Sequence, residues 1–394
     1  MISLEQALAI IIGIAKNIRL ITEIIPLSKA LNRINSENVI SLFDLPPFNK
    51  AAMDGYAVLI TDERKQYELI ENVAAGNNAK KVLSAGKAIK IMTGAPVPIN
   101  TGKIIRLEYV TEKNRVITVN TIESNSNICQ QGEDVKRGDL ILKANSKITP
   151  LIIGNLIGCG IEMLKVKNKL KIAIISTGDE IVNKCELCKL GKIMDVNGPL
   201  LTSLCQKYNL EVIYQTCVPD QQQEIIAAIS HALPLADIII LSGGASTGDF
   251  DFVKSAFESL ELTTHFTSVA IKPGKPTIFA ATDNKLIFGL PGNPVAVYLM
   301  FHLLILKAAQ SILQLEEPEV ITKYTLNHDI TRKDTERAEY RPGRLINENT
   351  VELIKYNGSA HLSALLQSDG FLIIPQGVPK LSMGDRVNFL PIQQ

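Results

Sequence analysis

The sequence predicts a multidomain chain of α/β plus β class, on three observations. Its 394 residues exceed what one hydrophobic core normally serves. From residue 170 onward, apolar strand-like runs alternate with helical segments, the pattern of a parallel sheet covered on both faces. On either side of that region the chain breaks into short alternating runs between Gly, Pro and Asn, as β domains do.

The first stretch, "MISLEQALAIIIGIAKNI", is apolar but has no basic residues ahead of it, carries Glu5 at its head and is interrupted by Lys16, so it does not read as a secretory leader. Ser3 with Gln6 resembles a capping box opening an amphipathic helix. Residues 45–145 hold "YAVLI", "YELIENV", "AIKIMTG", "KIIRLEYV" and "RVITVNTI" between turns, the signature of an antiparallel β-domain. Residues 146–168, "SKITPLIIGNLIGCGIEMLKVKN", read as a helix and then a strand. With residues 1–44 they would form an N-terminal module that brackets the β-domain, making the latter an insertion.

Residues 169–318 carry the alternation: "KIAIIS", a helix at 196–208, "EVIYQTCV", a helix at 220–233, "ADIIILS", a helix at 250–260, "KLIFGL", and a long helix from 294. Residues 319–394 return to short runs ("YTLNHDI", "TVELIKY", "FLIIPQ", "RVNFLP"), which predict a C-terminal β-barrel. The most apolar later segment, "PVAVYLMFHLLILKAA", contains His302 and Lys307 and reads as too short and broken to cross a bilayer.

Composition narrows the partners. Acids and bases nearly cancel, 40 against 41, which removes the basic field expected for nucleic acid or an anionic membrane surface. With no Trp and 5% aromatics, base-stacking platforms are scarce as well. The six cysteines stop at Cys217, which does not look like a secreted disulfide framework, and a reducing cytoplasm is expected. Cys185 and Cys188 form a CxxC with no second pair or nearby His, so no complete zinc site can be assembled from local sequence.

In open α/β sheets ligands bind beyond the carboxyl ends of the strands, so the loops there are the places to search. The first is "STGDEIV", with Asp179 and Glu180 after Gly178. Another is "LSGGASTGDFDFV", where Gly243, Gly244 and Gly248 allow close backbone approach beside Asp249 and Asp251. A bare phosphate next to those acids would be repelled, so a divalent cation or a hydrogen-bond-donating ring is the expected partner. "IKPGKPTIF" sets Lys272 and Lys275 about a Pro-Gly turn, suited to an oxyanion. "PGNPVA" places Pro291, Gly292 and Pro294 at a helix start, a further anion site. Acids and anion donors on one sheet edge suit a metal-bridged nucleotide or phosphate ester. The chain contains neither GxxxxGK[ST] nor a GxGxxG after a strand, which weakens P-loop and Rossmann readings.

Read in order, "FNKAAMDGYAV", "IMTGAPVP", "QGEDVKRGD", "STGDEIV", "SGGASTGDFDFV", "IKPGKP", "GLPGNPVAVYL" and "NGSAHLSALLQSDGFLIIP" resemble the bacterial molybdopterin molybdenumtransferase family, whose eukaryotic relative is the E domain of gephyrin. The resemblance implies an elongated N-terminal module (1–44 with 146–168), the inserted β-domain (45–145), a molybdopterin-binding α/β domain (169–318) and a C-terminal β-barrel (319–394). It implies a homodimer whose active site draws on both subunits, with Asp54, Thr93 and Asp134 completing it across the dimer. The implied reaction inserts molybdate into adenylylated molybdopterin and releases AMP and the molybdenum cofactor, with Mg2+. Carried over by position, Glu180, Asp251 and Asp220 fall to metal or pterin, with Glu180 and Asp251 as the metal ligands. Lys272 and Lys275 fall to anionic groups, with Pro291 and Pro294 in the matching loop. Ser359 and Ser363 are candidate contacts to nucleotide or pterin. Implied partners are the molybdopterin adenylyltransferase and the enzymes that accept the cofactor.

The chain departs from the family pattern at Asn49, Lys50 and Ala51, where Asp, Asn and Ser are common, and at Ser268, where a basic residue is frequent. Two alternatives therefore stay open: a diverged relative that binds molybdopterin or cofactor without catalysis, and a molybdopterin adenylyltransferase.

Overall fold

The computed structural model describes residues 1–243, 250–315, 321–355, 358 and 361–392, with the side chains of residues 250 and 251 left out. Two compact units emerge, one of residues 1–23 with 167–394, the other of residues 24–166.

The first unit is organised by a six-stranded sheet, with strands β1 (Lys171–Thr177), β2 (Glu211–Val218), β3 (Ile238–Ser242), β4 (Thr263–Phe266), β5 (Ile278–Ala281) and β6 (Leu286–Leu290), in the order β2-β1-β3-β6-β5-β4. Strands β2, β1, β3 and β6 run parallel. Three helices pack on the sheet: α1 (Asn197–Lys207), α2 (Gln222–Ala232) and α3 (Phe250–Ser259). Successive strand residues face opposite ways, so a strand apolar throughout supplies two cores. Ile172, Ile174, Ile238 and Ile240 join Leu201 and Leu204 of α1 on one face. Ala173, Ile175, Ile239 and Leu241 join Ile225 and Ile229 of α2 on the other. Each fully buried Ile contributes roughly 1.5–3 kcal/mol relative to exposure, as an upper estimate.

The sheet is mixed, where the sequence predicts a parallel one. β5 and β6 form an antiparallel hairpin and β4 adds antiparallel to β5. The signal lies in "ATDNK": Thr282 donates its N–H to the Lys285 carbonyl across an Asp-Asn turn, while "TIFAA" reads as the tail of the lysine motif.

The capping box at Ser3 and Gln6 forms, and helix Leu4–Ala15 follows it. Its buried stripe of Ala7, Ile11 and Ala15 enters the same core as Ala308, Ala309 and Ile312. Residues 1–23 therefore pack in the α/β unit, whereas the sequence reading groups them with 24–44. The partner stripe lies on Pro294–Leu313, a 20-residue helix with a π turn at Phe301–Ile305. By length and composition alone this helix could cross a membrane, which corrects the expectation that it is too short. Its apolar side chains, Val295, Phe301, Leu304 and Ile305 among them, are buried against the sheet.

Strands Thr322–Leu326, Ala338–Asn347, Thr350–Leu353, Gly370–Ile374 and Arg386–Pro391 form the expected barrel. The ring closes where Ala338–Asn347 pairs with both Thr350–Leu353 and Gly370–Ile374. Leu326, Val351, Leu372, Val387 and Phe389 fill it.

The second unit holds another six-stranded sheet, in the order Thr101–Arg106, Gly55–Leu59, Lys87–Ile91, Gln66–Val73, Val116–Val119, Val110–Lys113. It is antiparallel except that Gln66–Val73 and Lys87–Ile91 run parallel, a correction to the antiparallel reading. The segment between them, "AAGNNAKKVLSAG", is long enough for the crossover that a parallel pair needs. Residues 146–168 form the expected helix, Pro150–Gly158 with Thr149 as N-cap, and strand, Met163–Lys167.

Candidate active site

The strand order reverses between β1 and β3, so the loops after these strands diverge and leave a crevice at their carboxyl ends. A cavity of ≈ 690 Å³ lies there. The loop after β1 supplies Gly178, Glu180 and Ile181, that after β2 supplies Asp220, and that after β3 supplies Gly243. Asp195–Asn197 at the start of α1 and Gly292–Pro294 after β6 complete the wall.

Gly243 fixes the floor. Its φ is +123°, and a Cβ there would stand 1.8 Å from the Thr177 carbonyl oxygen. The backbones after β1 and β3 thus approach to a distance only glycine permits.

The acids are held by the strand ends. The Thr177 hydroxyl, buried, donates to Asp220 Oδ1 at 2.9 Å, and the Asp220 N–H donates to Asp179 Oδ1 at 3.1 Å. The buried Ser176 hydroxyl donates to Asp195 Oδ2 at 2.8 Å, and the Gly198 N–H donates to Asp195 Oδ1 at 2.9 Å. Asp195, two residues ahead of α1, therefore accepts from its first turn. Sequence reading missed it, although an acid before "VNGP" at a helix start is a capping signal. The negative field reaches Cys217 on β2, whose thiol is pushed up by burial and then by the Asp195 and Glu180 charges.

The same lining carries donors and residues with orphaned atoms. The helix beginning at Pro294 has no side-chain cap on Asn293, and its start, Asn293 and Pro294, lies in the cavity lining. Asn197 donates its amide to the Gly292 carbonyl at 2.8 Å, while its Oδ1 is buried without a partner among the described residues. The Ser242 hydroxyl, 1% exposed, is likewise unpartnered. Buried polar atoms without a protein partner beside a cavity are places where a water or a ligand can supply the missing bond.

Of the residues singled out from sequence, Glu180, Asp220, Gly243, Gly292 and Pro294 meet at this cavity, and Pro291 is buried next to it. Lys272 and Lys275 do not line it. Lys272 is exposed and pairs with Glu339 at 3.2 Å. Gly244, Gly248, Asp249 and Ser359 lie outside the described residues, as does the side chain of Asp251. Ser363 is exposed on the 3-10 turn Leu362–Gln367. In the other unit, Asp54 and Thr93 are brought together: Asp54 Oδ1 accepts from the Thr93 N–H and hydroxyl, both at 2.7 Å. Those two bonds hold the Asp54 carboxyl below the usual carboxylate range. Asp134, exposed, donates its N–H to the Leu45 carbonyl. No preformed cluster of three or more His, Cys, Asp or Glu metal ligands occurs among the described residues.

Three family profiles match in chain order: the MoeA N-terminal region (domain I and II) over residues 2–160, a probable molybdopterin binding domain over 173–311, and the MoeA C-terminal region (domain IV) over 326–392. A molybdopterin molybdenumtransferase of Haemophilus influenzae is 35% identical over 385 residues, covering 94% of each chain. The chain belongs to the MoeA family. A MoeA relative in Staphylococcus aureus, also called molybdopterin molybdenumtransferase, is 30% identical over 379 residues, covering 93% of this chain and 90% of its own. The crystal structure of a molybdopterin biosynthesis MoeA protein from Pyrococcus horikoshii superposes with a TM-score of 0.83 at 30% identity, covering 100% of both chains. The MoeA match thus includes the cavity-bearing domain and both flanking regions.

Proposed function

We propose that the chain inserts molybdate into adenylylated molybdopterin, releasing AMP and the molybdenum cofactor. The observation that carries this reading is the cavity at the strand-order reversal, whose lining combines acids, the helix start at Pro294 with no side-chain cap, and two residues with orphaned buried polar atoms among the described residues. A phosphate-linked pterin nucleotide needs each of those neighbours. Backbone N–H groups at helix starts suit its phosphates. Asp220 and Asp195 suit the N–H edge of a pterin ring, and the Ser242 hydroxyl and Asn197 Oδ1 gain partners when the ligand enters.

Glu180 offers a hard oxygen donor at the cavity wall, and a Mg2+ ion held by one or two carboxylates, with Asp251 as the second, would take its remaining ligands from substrate phosphate oxygens and water. Bound there, the ion would neutralise charge on the phosphoanhydride. Molybdate is the co-substrate. A cytoplasmic homodimer, supplied by the adenylyltransferase and feeding cofactor-accepting enzymes, is part of the same proposal.

The rival with an observation behind it is a binding protein without turnover. Ala51 is buried and apolar, and Asn49 spends its side-chain oxygen on the Gln131 N–H at 2.7 Å. Incubating the folded protein with adenylylated molybdopterin, Mg2+ and molybdate should release AMP, and chelating the Mg2+ should stop it. Binding of molybdopterin without AMP release would instead select the rival. ATP consumption with molybdopterin would select an adenylyltransferase.

A further inference from the structure

We propose that Cys185 and Cys188 form a reversible dithiol–disulfide pair in a loop whose flanking strands line the cavity, which exchanges with low-molecular-weight disulfides and stiffens its loop on closing. The short strands Ile181–Val182 and Ile193–Met194 pair in parallel, Ile181 with Ile193 and Val182 with Met194. The Ile193 N–H donates to the Glu180 carbonyl and the Asp195 N–H to the Val182 carbonyl, both at 2.8 Å. Ile181, Ile193, Met194 and Glu180 line the cavity, so residues 183–192 are a loop whose two ends are cavity wall.

Within that loop Cys185–Leu187 is a single 3-10 turn, closed by the Cys188 N–H donating to the Cys185 carbonyl at 3.0 Å. Side chains three apart in such a turn eclipse on one face. The turn also holds its end Cα atoms within about 7 Å, the span a disulfide bridges. Both thiols are exposed, whereas Cys159 and Cys205 are buried and Cys129 and Cys217 half-buried. Accessibility and spacing therefore single out this pair.

The exchange balances. One thiolate attacks a sulfur of glutathione disulfide and expels one glutathione thiolate. The second cysteine attacks the resulting mixed disulfide and expels the other. The pair loses two electrons, and its two protons end on two glutathione thiols. An exposed two-residue bridge of this kind is easily reduced, so the dithiol is the resting form in a reducing medium.

The test uses the full chain in a graded ratio of reduced to oxidised glutathione and does not depend on the molybdenum chemistry. Peptide mapping by mass spectrometry should find a Cys185–Cys188 disulfide that dithiothreitol reverses, while Cys159 and Cys205 stay unmodified. Cys185→Ser and Cys188→Ser should each stop at one mixed disulfide. Amide exchange at Ile193 and Asp195 should slow by at least about threefold in the oxidised protein. Mixed disulfides at both cysteines of the folded wild type, closure only after denaturation, or unchanged amide exchange would each overturn the proposal.

Discussion

The loops after β1 and β3 bring acids and glycine to the cavity, while the turn from Lys272 to Lys275, in the same compact unit, commits a charge elsewhere. Residues 271–272 pair in parallel with Ala338 and Glu339 of the barrel, which seats the Lys272 ammonium on a buried carboxylate. Around the cavity the reverse holds: Ser242 and Asn197 keep buried polar atoms with no partner among the described residues. Both stretches have the residue types of a binding loop. The difference is whether the protein itself satisfies them, because a group already paired must be pulled from its partner before it serves a ligand.

The comparison breaks most severely at Gly243. Gly243→Ala forces a Cβ onto the Thr177 carbonyl and a left-handed φ onto alanine, and should cost about 2–4 kcal/mol in denaturant unfolding. An unchanged midpoint would mean that the floor yields and is not built by close approach. Asp195→Ala comes next. It strips a charged acceptor from the buried Ser176 hydroxyl and from the Gly198 N–H, at a cost of about 2 kcal/mol. Asp195→Asn should recover part of this, since its oxygen can still accept from the first turn of α1.

Ser242→Ala sharpens the contrast, because stability and binding should part company. Its hydroxyl has no partner among the described residues, so removal should leave unfolding within about 0.5 kcal/mol or raise stability slightly. Molybdopterin affinity, measured calorimetrically, should fall about fivefold if the ligand supplies the missing bond. A stability loss with unchanged affinity would show the hydroxyl to be structural.

How far the site was legible follows from the same physics. Asp220 was reached only through the family resemblance, whereas Glu180 and Gly243 could be found because they follow apolar strands, and strand ends are where such sheets bind. Asp195 could not be found that way, since it precedes a helix and its importance comes from Ser176, which is 19 residues distant. For the lysines the sequence is silent on tertiary context: "IKPGKP" does not disclose that Lys272 enters a strand register with Glu339 and pairs with it. In the fold, apolar alternation located β1, β2, β3 and β6. The antiparallel β4 and β5 were hidden because short apolar runs near a charged motif carry little period. Where residues 1–23 pack was not legible, because a helix's apolar stripe says that it needs a partner without saying which one.

The smallest expected effect, at Lys272, bears most directly on the contrast. Glu339 is 5% exposed and has three cations near it: Lys272 at 3.2 Å, Arg341 at 3.1 Å and Arg332 at 3.9 Å. Lys272→Met leaves both arginines in place, and the lysine itself is half in solvent, so the loss should stay below about 1 kcal/mol and shrink with added salt. Glu339→Gln should cost more, because Arg332, nearly fully buried, then loses its nearby charge. If this turn is a structural clamp, Lys272→Met should also leave AMP affinity at the cavity within about twofold, under 0.5 kcal/mol. A drop of tenfold or more, with stability unchanged, would return the turn to the binding machinery and show that the ion pair with Glu339 opens when ligand arrives.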